Sequence, residues 1–249
     1  MTVLVIAATD SSGGAGLTRD IRVLRDFSVD VLCVVTAVTA QSDQKVFAVH
    51  HIPPDIVRAQ IAAALATRPV SAIKIGMLGT RATVEAVVDA LEPMREVPVV
   101  VDPVLVSSSG GVLLDEAGRT ALTRLLMPLA TLVTPNVPEA AALLGEPVAR
   151  DEATLVEQGQ RLLGYGSRAI LLKGGHAAGA EAVDLLISAN DIQRIRSKRV
   201  DGSSRGTGCA LAAAIAASLA KGQPLAAACE TAKTYVLGML GSVGACRQL

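Results

Sequence analysis

Short, continuously apolar runs alternate with longer segments rich in alanine and leucine along this chain of 249 residues. The runs contain many β-branched residues and have the length of strands rather than of helices. A strand that is apolar on both sides must be covered on both sides, which is typical of a parallel sheet between two helical layers. We therefore expect a three-layer α/β/α sandwich with a mostly parallel central sheet. The strand candidates are VLVIAAT (3–9), VLCVVTAVTA (31–40), AIKIGML (72–78), VPVVVDPVL (97–105), ATLVTPN (130–136) and RAILLKGG (168–175).

Helices are expected between these runs, and a β-hairpin follows the last of them. The hairpin is predicted from the runs 182–188 and 192–200, which flank a polar turn. No linker, internal repeat or low-complexity stretch interrupts the pattern, so residues 1–249 are expected to form a single domain. The first helix candidate begins near residue 17, and another begins at Pro138. The other helix candidates are 54–67, 82–94, 209–220 and 225–240.

Charge and composition exclude several classes of function. The 23 basic and 23 acidic side chains balance, and aromatic residues make up 2%. A nucleic-acid-binding surface is typically basic and often aromatic, so no nucleic-acid partner is expected. The longest apolar stretch, 210–220, is shorter than the roughly 20 residues that span a bilayer, so no membrane association is expected. The opening segment reaches Asp10 too early for a secretory signal, and the four cysteines form no C-x-x-C pair, which favours free thiols and a cytoplasmic protein.

Polar or unusual residues stand where the predicted strands end. In an open α/β sheet, ligands bind at the carboxyl ends of the strands. We therefore expect these side chains to surround one site. They are Asp10, Gln41, Met77, Asp102, Asn136 and Lys173.

The segment Arg205-Gly206-Thr207-Gly208-Cys209 leads into the predicted helix 209–220. Its glycines allow close approach and unusual φ values, and the helix start offers unpaired N–H groups and a positive dipole end. These features predict an anion site suited to a phosphate. The same field is expected to lower the pKa of the Cys209 thiol and favour the thiolate. The alternative is a tight turn with a small residue at a helix start.

Other familiar phosphate-binding patterns do not fit. No G-x-x-x-x-G-K-[ST] loop occurs, and the glycines of SSGGAG (11–16) are not in G-x-G-x-x-G order. Asn136 and Glu139 open a helix with Pro138, where they would cap it or, in a phosphate site, hold a hydrated magnesium ion. Lys173 would extend its ammonium to solvent or reach a phosphate beside Gly174 and Gly175.

Taken together, the motifs resemble the ribokinase-like superfamily, and more closely the hydroxymethylpyrimidine/phosphomethylpyrimidine kinase family of thiamine biosynthesis. The matching stretches follow the family's order over nearly the whole chain. The resemblance implies a ribokinase-like fold, ATP and Mg²⁺ as cofactors, and phosphorylation of 4-amino-5-hydroxymethyl-2-methylpyrimidine and then of its monophosphate. The stretches are IAATDSSGGAGLTRD, VTAVTAQS, IKIGMLG, VVVDPVLVSSSG, LVTPNVPEAAALLG, LLKGGH and RGTGCALAAAIAASLAKG.

The resemblance also implies a role for individual residues. Cys209 stands where most of the superfamily carries an aspartate as general base, and the pyrimidine kinases carry cysteine. The implied catalytic residues are Cys209, Gly206, Gly208 and Lys173. The implied substrate-binding residues are Gln41, which bonds the pyrimidine ring, Asp20 at an acidic position in the first loop, and the pocket residues Met77, Val104 and Ala8. The implied nucleotide contacts are Thr207, Lys173 and Asn136, and Asp102 and Glu139 are the implied Mg²⁺ residues, acting through water.

The chain departs from the family pattern in three places. Ala8 replaces a glycine, and Ser204-Arg205 replaces a threonine-histidine pair, so both departures are expected to affect the substrate pocket. A glycine- and histidine-bearing tail does not follow, which is expected to alter the nucleotide pocket.

A pyridoxal or pyridoxine kinase is the alternative enzyme, and a non-catalytic ligand-binding module is the alternative of another class. A homo-oligomer, namely a dimer, is expected.

Overall fold

The apolar runs form the parallel core of a sheet that has nine strands within the described residues. The structure is a computed structural model, and it describes residues 1–107, 110–174, 181–199 and 205–246. The strand order is β3-β2-β1-β4-β5-β6-β7-β8-β9, with β3, β8 and β9 antiparallel to their neighbours and the six central strands parallel. The strands are β1 (Thr2–Asp10), β2 (Asp30–Gln41), β3 (Val46–His51), β4 (Ala72–Ile75), β5 (Val99–Val101), β6 (Leu132–Val133), β7 (Ala169–Leu172), β8 (Glu181–Ser188) and β9 (Ile192–Lys198).

Helices cover both faces of this sheet, which confirms the predicted three-layer sandwich. The second to sixth helices pack on one face, and the first and the last two pack on the other. Along β1, Leu4 and Ile6 face the first layer while Val3 and Val5 face the second, and all four are fully buried. Burial on both sides explains why the strands read as unbroken apolar runs. The helices are α1 (Gly16–Asp26), α2 (Pro54–Thr67), α3 (Arg81–Leu91), α4 (Glu116–Ala121), α5 (Val137–Leu144), α6 (Glu152–Leu163), α7 (Thr207–Ala220) and α8 (Leu225–Cys246).

Several elements differ from the expectation, and helices α4 and α6 were not predicted at all. Strand β3 was not predicted, because its residues are mostly half-buried or exposed and form only a hairpin partner for the second half of β2. Helix α7 begins at Thr207 rather than at 209, since Gly206 ends the preceding loop in a left-handed conformation with φ +74°. Helix α8 continues to Cys246, six residues beyond the predicted end.

Among the helices that the structure describes, none combines the length and hydropathy needed to cross a bilayer. The cysteines whose side chains are described are free thiols. Gly175 and Ser204, which the sequence motifs include, lie outside the described residues.

Candidate active site

A cleft of about 820 Å³ opens along the carboxyl ends of the parallel strands. The strand-end rule therefore located the cleft correctly, because every strand-end residue that it singled out lines this one cleft. The start of α7 also lines the cleft. The lining strand-end residues are Asp10, Gln41, Met77, Asp102, Asn136 and Lys173.

The two glycine-rich loops meet at the start of α7. A β-carbon on Gly206 would collide with the carbonyl oxygen of Gly14, so only glycine allows the loops to approach this closely. Gly208 does not have the positive φ that its motif suggested, but a β-carbon there would lie 3.1 Å from Lys173 Nζ. The first N–H groups of α7 therefore face the cleft beside an ammonium group, which is the arrangement expected of an anion site.

The structure contradicts the expectation of a lowered pKa for the Cys209 thiol. Burial raises its pKa to about 12, and the nearby Lys74 ammonium only partly offsets this effect. A backbone hydrogen bond with Gly16 also lowers the pKa, but the loss of water around the sulfur outweighs both effects. A hydrogen bond from the Cys209 side chain to Asp102 also helps to lower the pKa of that carboxyl.

We expect iodoacetamide to alkylate Cys33 faster than Cys209 near neutral pH, the reverse of the expectation from sequence. Cys33 is exposed and Cys209 is half-buried. Burial raises the pKa of both thiols, and it raises that of Cys209 to about 12. Below the pKa, each pH unit raises the thiolate fraction about tenfold, so Cys209 labelling should accelerate from pH 7 to 9 without a plateau. Peptide mapping by mass spectrometry measures both rates. A plateau below about pH 8 would contradict the raised pKa.

Lys173 bridges two carboxylates in the middle of the cleft. Its Nζ lies 3.1 Å from Asp102 Oδ1 and 3.7 Å from Glu139 Oε2. Burial opposes the charge on Lys173, but the two carboxylates outweigh burial and raise its pKa. Burial likewise opposes ionisation of Asp102, but Lys173 outweighs it and lowers the pKa of Asp102. The ammonium therefore stays charged inside the cleft instead of reaching out to solvent.

Asn136 and Glu139 cap α5 as a reciprocal pair. The Glu139 N–H donates to Asn136 Oδ1, and the Asn136 N–H donates to Glu139 Oε2, each over 2.8 Å. Both residues also line the cleft, so capping and ligand binding are compatible here. Burial raises the pKa of Glu139 although Lys173 opposes the shift.

The carboxylates of the cleft fit a magnesium ion that arrives with a nucleotide. In the described ranges, no group of three or more His, Cys, Asp or Glu side chains is placed to hold a metal ion. Asp102 and Glu139 nevertheless face the same ammonium, and both line the cleft. Mg²⁺ commonly keeps several waters and binds through one or two carboxylates and substrate phosphates. Two carboxylates are therefore sufficient.

The cleft also contains an apolar pocket, and the side-chain amide of Gln41 lies at its edge. Ala8, Met77 and Leu113 are at most 9% exposed and pack with Val104. Gln41 follows them at the end of β2, and its backbone N–H donates to Ser11 Oγ over 2.8 Å. A flat ring with polar edges fits such a pocket, because an amide both donates and accepts hydrogen bonds. Leu113 was missed from the sequence because it follows an irregular loop.

Asp20 does not occupy the first loop, as its motif suggested, but lies in α1. It is fully buried, does not line the cleft, and its Oδ2 lies 2.7 Å from Lys74 Nζ. Burial raises the pKa of Asp20 to about 6, although Lys74 opposes the shift. Lys74, which sequence reasoning missed, does line the cleft. Its signal was a lysine inside the otherwise apolar run AIKIGML.

Residues 10–245 match the family model described as phosphomethylpyrimidine kinase. The chain belongs to this family. Because this family consists of kinases, the chain is a kinase, and the alternative of a non-catalytic ligand-binding module is excluded. A kinase of this family uses ATP and a small-molecule acceptor, in accordance with a cleft lined both by the start of α7 and by apolar side chains.

Relatives of this phosphomethylpyrimidine kinase family member cover almost its whole length. A hydroxymethylpyrimidine/phosphomethylpyrimidine kinase of Rhizobium meliloti is 42% identical over 234 residues, which are 94% of this chain and 88% of the relative. The structure of phosphomethylpyrimidine kinase from Clostridium difficile is 34% identical, with a TM-score of 0.84 over 96% of this chain and 99% of that chain. Pyridoxal kinase from Bacillus subtilis, solved as an ADP complex, is 30% identical, with a TM-score of 0.86 over 94% of this chain and 88% of that chain.

Proposed function

We propose that this kinase transfers the γ-phosphoryl group of ATP to the hydroxymethyl oxygen of 4-amino-5-hydroxymethyl-2-methylpyrimidine, and in a second turnover to the resulting monophosphate. The observation that carries the proposal is that one cleft joins the anion site at the start of α7 to the apolar pocket edged by Gln41. The family match and the 42% identity to a relative named for both pyrimidine substrates support the choice of acceptor.

The neutral Cys209 thiol is compatible with phosphoryl transfer. In a loose transition state the acceptor oxygen keeps its proton until the new P–O bond is well advanced, and only then becomes strongly acidic. We propose that the sulfur of Cys209 accepts this proton while the thiol passes its own proton to Asp102. The bond between the γ-phosphorus and the ADP oxygen breaks as the bond to the acceptor oxygen forms. No preformed thiolate is required.

The rest of the site binds and stabilises the moving group. The N–H groups of Gly206, Thr207 and Gly208 would surround the γ-phosphoryl oxygens, and Lys173 would neutralise their charge. Asn136 would contact the nucleotide from the start of α5. Asp102 and Glu139 would hold Mg²⁺ through its waters, and the ion would screen the phosphates. Ala8, Met77 and Val104 would enclose the pyrimidine ring. The ion pair between Asp20 and Lys74 would hold the Lys74 ammonium in place at the cleft.

Three further expectations accompany this proposal, and they concern the cellular compartment, the oligomeric state and the domain organisation. We propose that the protein is cytoplasmic, where ATP is available and where its free thiols stay reduced. We also propose a homodimer. Exposed apolar residues on the β2–β3 hairpin support it, since Val38 and Phe47 are 48% and 68% exposed. Residues 1–249 would act as one domain.

Steady-state assays of ADP release test the function directly. The substrates are the hydroxymethylpyrimidine, its monophosphate and pyridoxal, each with saturating MgATP. Both pyrimidines should be phosphorylated, with a higher kcat/KM than pyridoxal. The backbone does not separate the two classes of acceptor, because the pyridoxal kinase superposes as well as the pyrimidine kinase. A preference for pyridoxal would refute the pyrimidine assignment and retain the kinase.

Replacement of Gln41 by alanine is expected to weaken pyrimidine binding and to leave ATP binding unchanged. Loss of hydrogen bonds to a buried ring edge costs about 1–3 kcal/mol, or roughly 5- to 150-fold in affinity. Isothermal titration with each ligand measures the effect. The matched control is Gln44→Ala, an exposed glutamine on the same hairpin that does not line the cleft. Equal losses for both ligands would argue against a ring-binding role for Gln41.

A further inference from the structure

The Arg205 side chain joins three loops at the mouth of the cleft. Its Nη1 lies 2.8 Å from the Ser42 carbonyl oxygen, 3.1 Å from Asp43 Oδ1 and 3.0 Å from Ser12 Oγ. Its Nη2 donates to Asp10 Oδ2 over 3.2 Å. The guanidinium therefore connects the loop that precedes α7, which carries Arg205, to the loop after β1 and to the turn between β2 and β3.

These contacts differ in how strongly they fix the position of Arg205. Asp10 is nearly buried and also holds its own loop, since it accepts hydrogen bonds from the N–H groups of Ser12 and Ala15. The side chain of Arg205 is 15% exposed, so its pair with Asp10 is shielded from solvent. Asp43 is 83% exposed, and a pair of this kind contributes little. The firm attachments of Arg205 are the Asp10 loop and the Ser42 carbonyl.

The attachment points adjoin the two functional ends of the cleft. Arg205 directly precedes Gly206, the first residue of the anion site, and Ser42 directly follows Gln41. Gln41 is also fixed to the Asp10 loop, because its N–H donates to Ser11 Oγ. An arginine suits this position since its planar guanidinium presents several donors in a fixed geometry, whereas lysine has only a point charge.

We propose that Arg205 is a positioning residue, which holds the turn carrying Gln41 at a fixed distance from the anion site. The acceptor hydroxyl then faces the γ-phosphoryl group in a reactive geometry, where a displacement of about 1 Å costs on the order of 10²-fold in rate. This role rests on the proposed function, because it takes Gln41 as the residue that binds the acceptor ring.

Hydrogen exchange on the free protein tests the connection without any substrate. In Arg205→Lys and Arg205→Gln, the amides of Gln41 and Ala15 should exchange at least tenfold faster than in the wild type, while that of Ile75 in β4 should not change. The matched control is Arg58→Lys, which alters an exposed arginine–aspartate pair between α2 and α3. Unchanged exchange at Gln41 and Ala15 in both variants would overturn the proposal, whatever the substrate is.

A double-mutant cycle tests the consequence for catalysis. Arg205→Lys should lower kcat/KM for the pyrimidine at least tenfold and raise KM for ATP less than threefold, and Gln41→Ala should lower kcat/KM for the pyrimidine less in that background than in the wild type. Strictly additive effects would overturn the positioning role. A wild-type protein that does not phosphorylate the pyrimidine, yet shows the exchange changes, would refute the proposed function and retain the attachment of the loops by Arg205.

Discussion

Replacement of Cys209 by alanine is expected to lower kcat by about 10²–10⁴, the usual effect of losing a group that takes up the proton. The KM values for ATP and the pyrimidine should change little, because the backbone N–H groups at the start of α7 and the Gln41 pocket remain. Cys209→Ser should retain more activity than Cys209→Ala, since a hydroxyl can still pass a proton to Asp102. Steady-state kinetics of the two variants at saturating substrate measure the difference.

The matched control is Cys33→Ala, which removes an exposed thiol outside the cleft. It should leave kcat within a factor of about two of the wild type. If Cys209→Ala keeps the wild-type kcat, the thiol is only a small residue at a helix start, and proton transfer must proceed without it. A fall in activity that is accompanied by a large loss of thermal stability would point to packing instead.

Replacement of Lys173 by methionine is expected to lower kcat by roughly 10²–10³ and to raise KM for ATP, because a charge aimed at the moving phosphoryl group is lost. Stability should also fall, since Asp102 is 3% exposed and would lose its nearest cation. Breaking a buried ion pair by removing one partner typically costs about 3–5 kcal/mol. Kinetics and urea denaturation measure the two effects separately.

The loss of stability should depend on pH. Lys173 lowers the pKa of Asp102, so the pair stabilises the fold above the ordinary pKa of aspartate, about 3.9, and this contribution is lost as the pH falls through the lowered value. The difference between the wild type and Lys173→Met should therefore be largest near neutral pH and shrink in acid. The control is Lys221→Met at the exposed end of α7. A pH-independent difference would show that the charge of Lys173 is not what stabilises Asp102.

The parallel core of the sheet was predictable because its strands are buried on both faces. Val3, Leu4, Val5 and Ile6 are all fully buried, and such burial appears in the sequence as an unbroken apolar run. The hairpin strand β3 has no such pattern. Its residues are mostly half-buried or exposed, and only the pairing with β2 determines its conformation. Local sequence patterns cannot specify a strand that depends on its partner.

The location of the cleft was also predictable, whereas its electrostatics were not. The rule that ligands bind at strand ends requires only the order of elements along the chain. The raised pKa of Cys209 depends on burial, which comes from packing of distant segments. The buried pair of Asp20 and Lys74 joins positions 54 residues apart, and Arg205 binds loops more than 160 residues away in sequence. A lysine inside the apolar run AIKIGML marks Lys74 as unusual, but no local pattern identifies its partner Asp20.

Internal competition between acceptors tests the central claim most directly. The wild-type protein is given equal concentrations of the hydroxymethylpyrimidine and pyridoxal with limiting MgATP, and mass spectrometry quantifies both phosphorylated products. Because the two acceptors share one enzyme and one ATP pool, the product ratio equals the ratio of their kcat/KM values. The sum of the pyrimidine monophosphate and diphosphate should exceed pyridoxal phosphate at least tenfold. An excess of pyridoxal phosphate, or no phosphorylated pyrimidine, would contradict the proposed function.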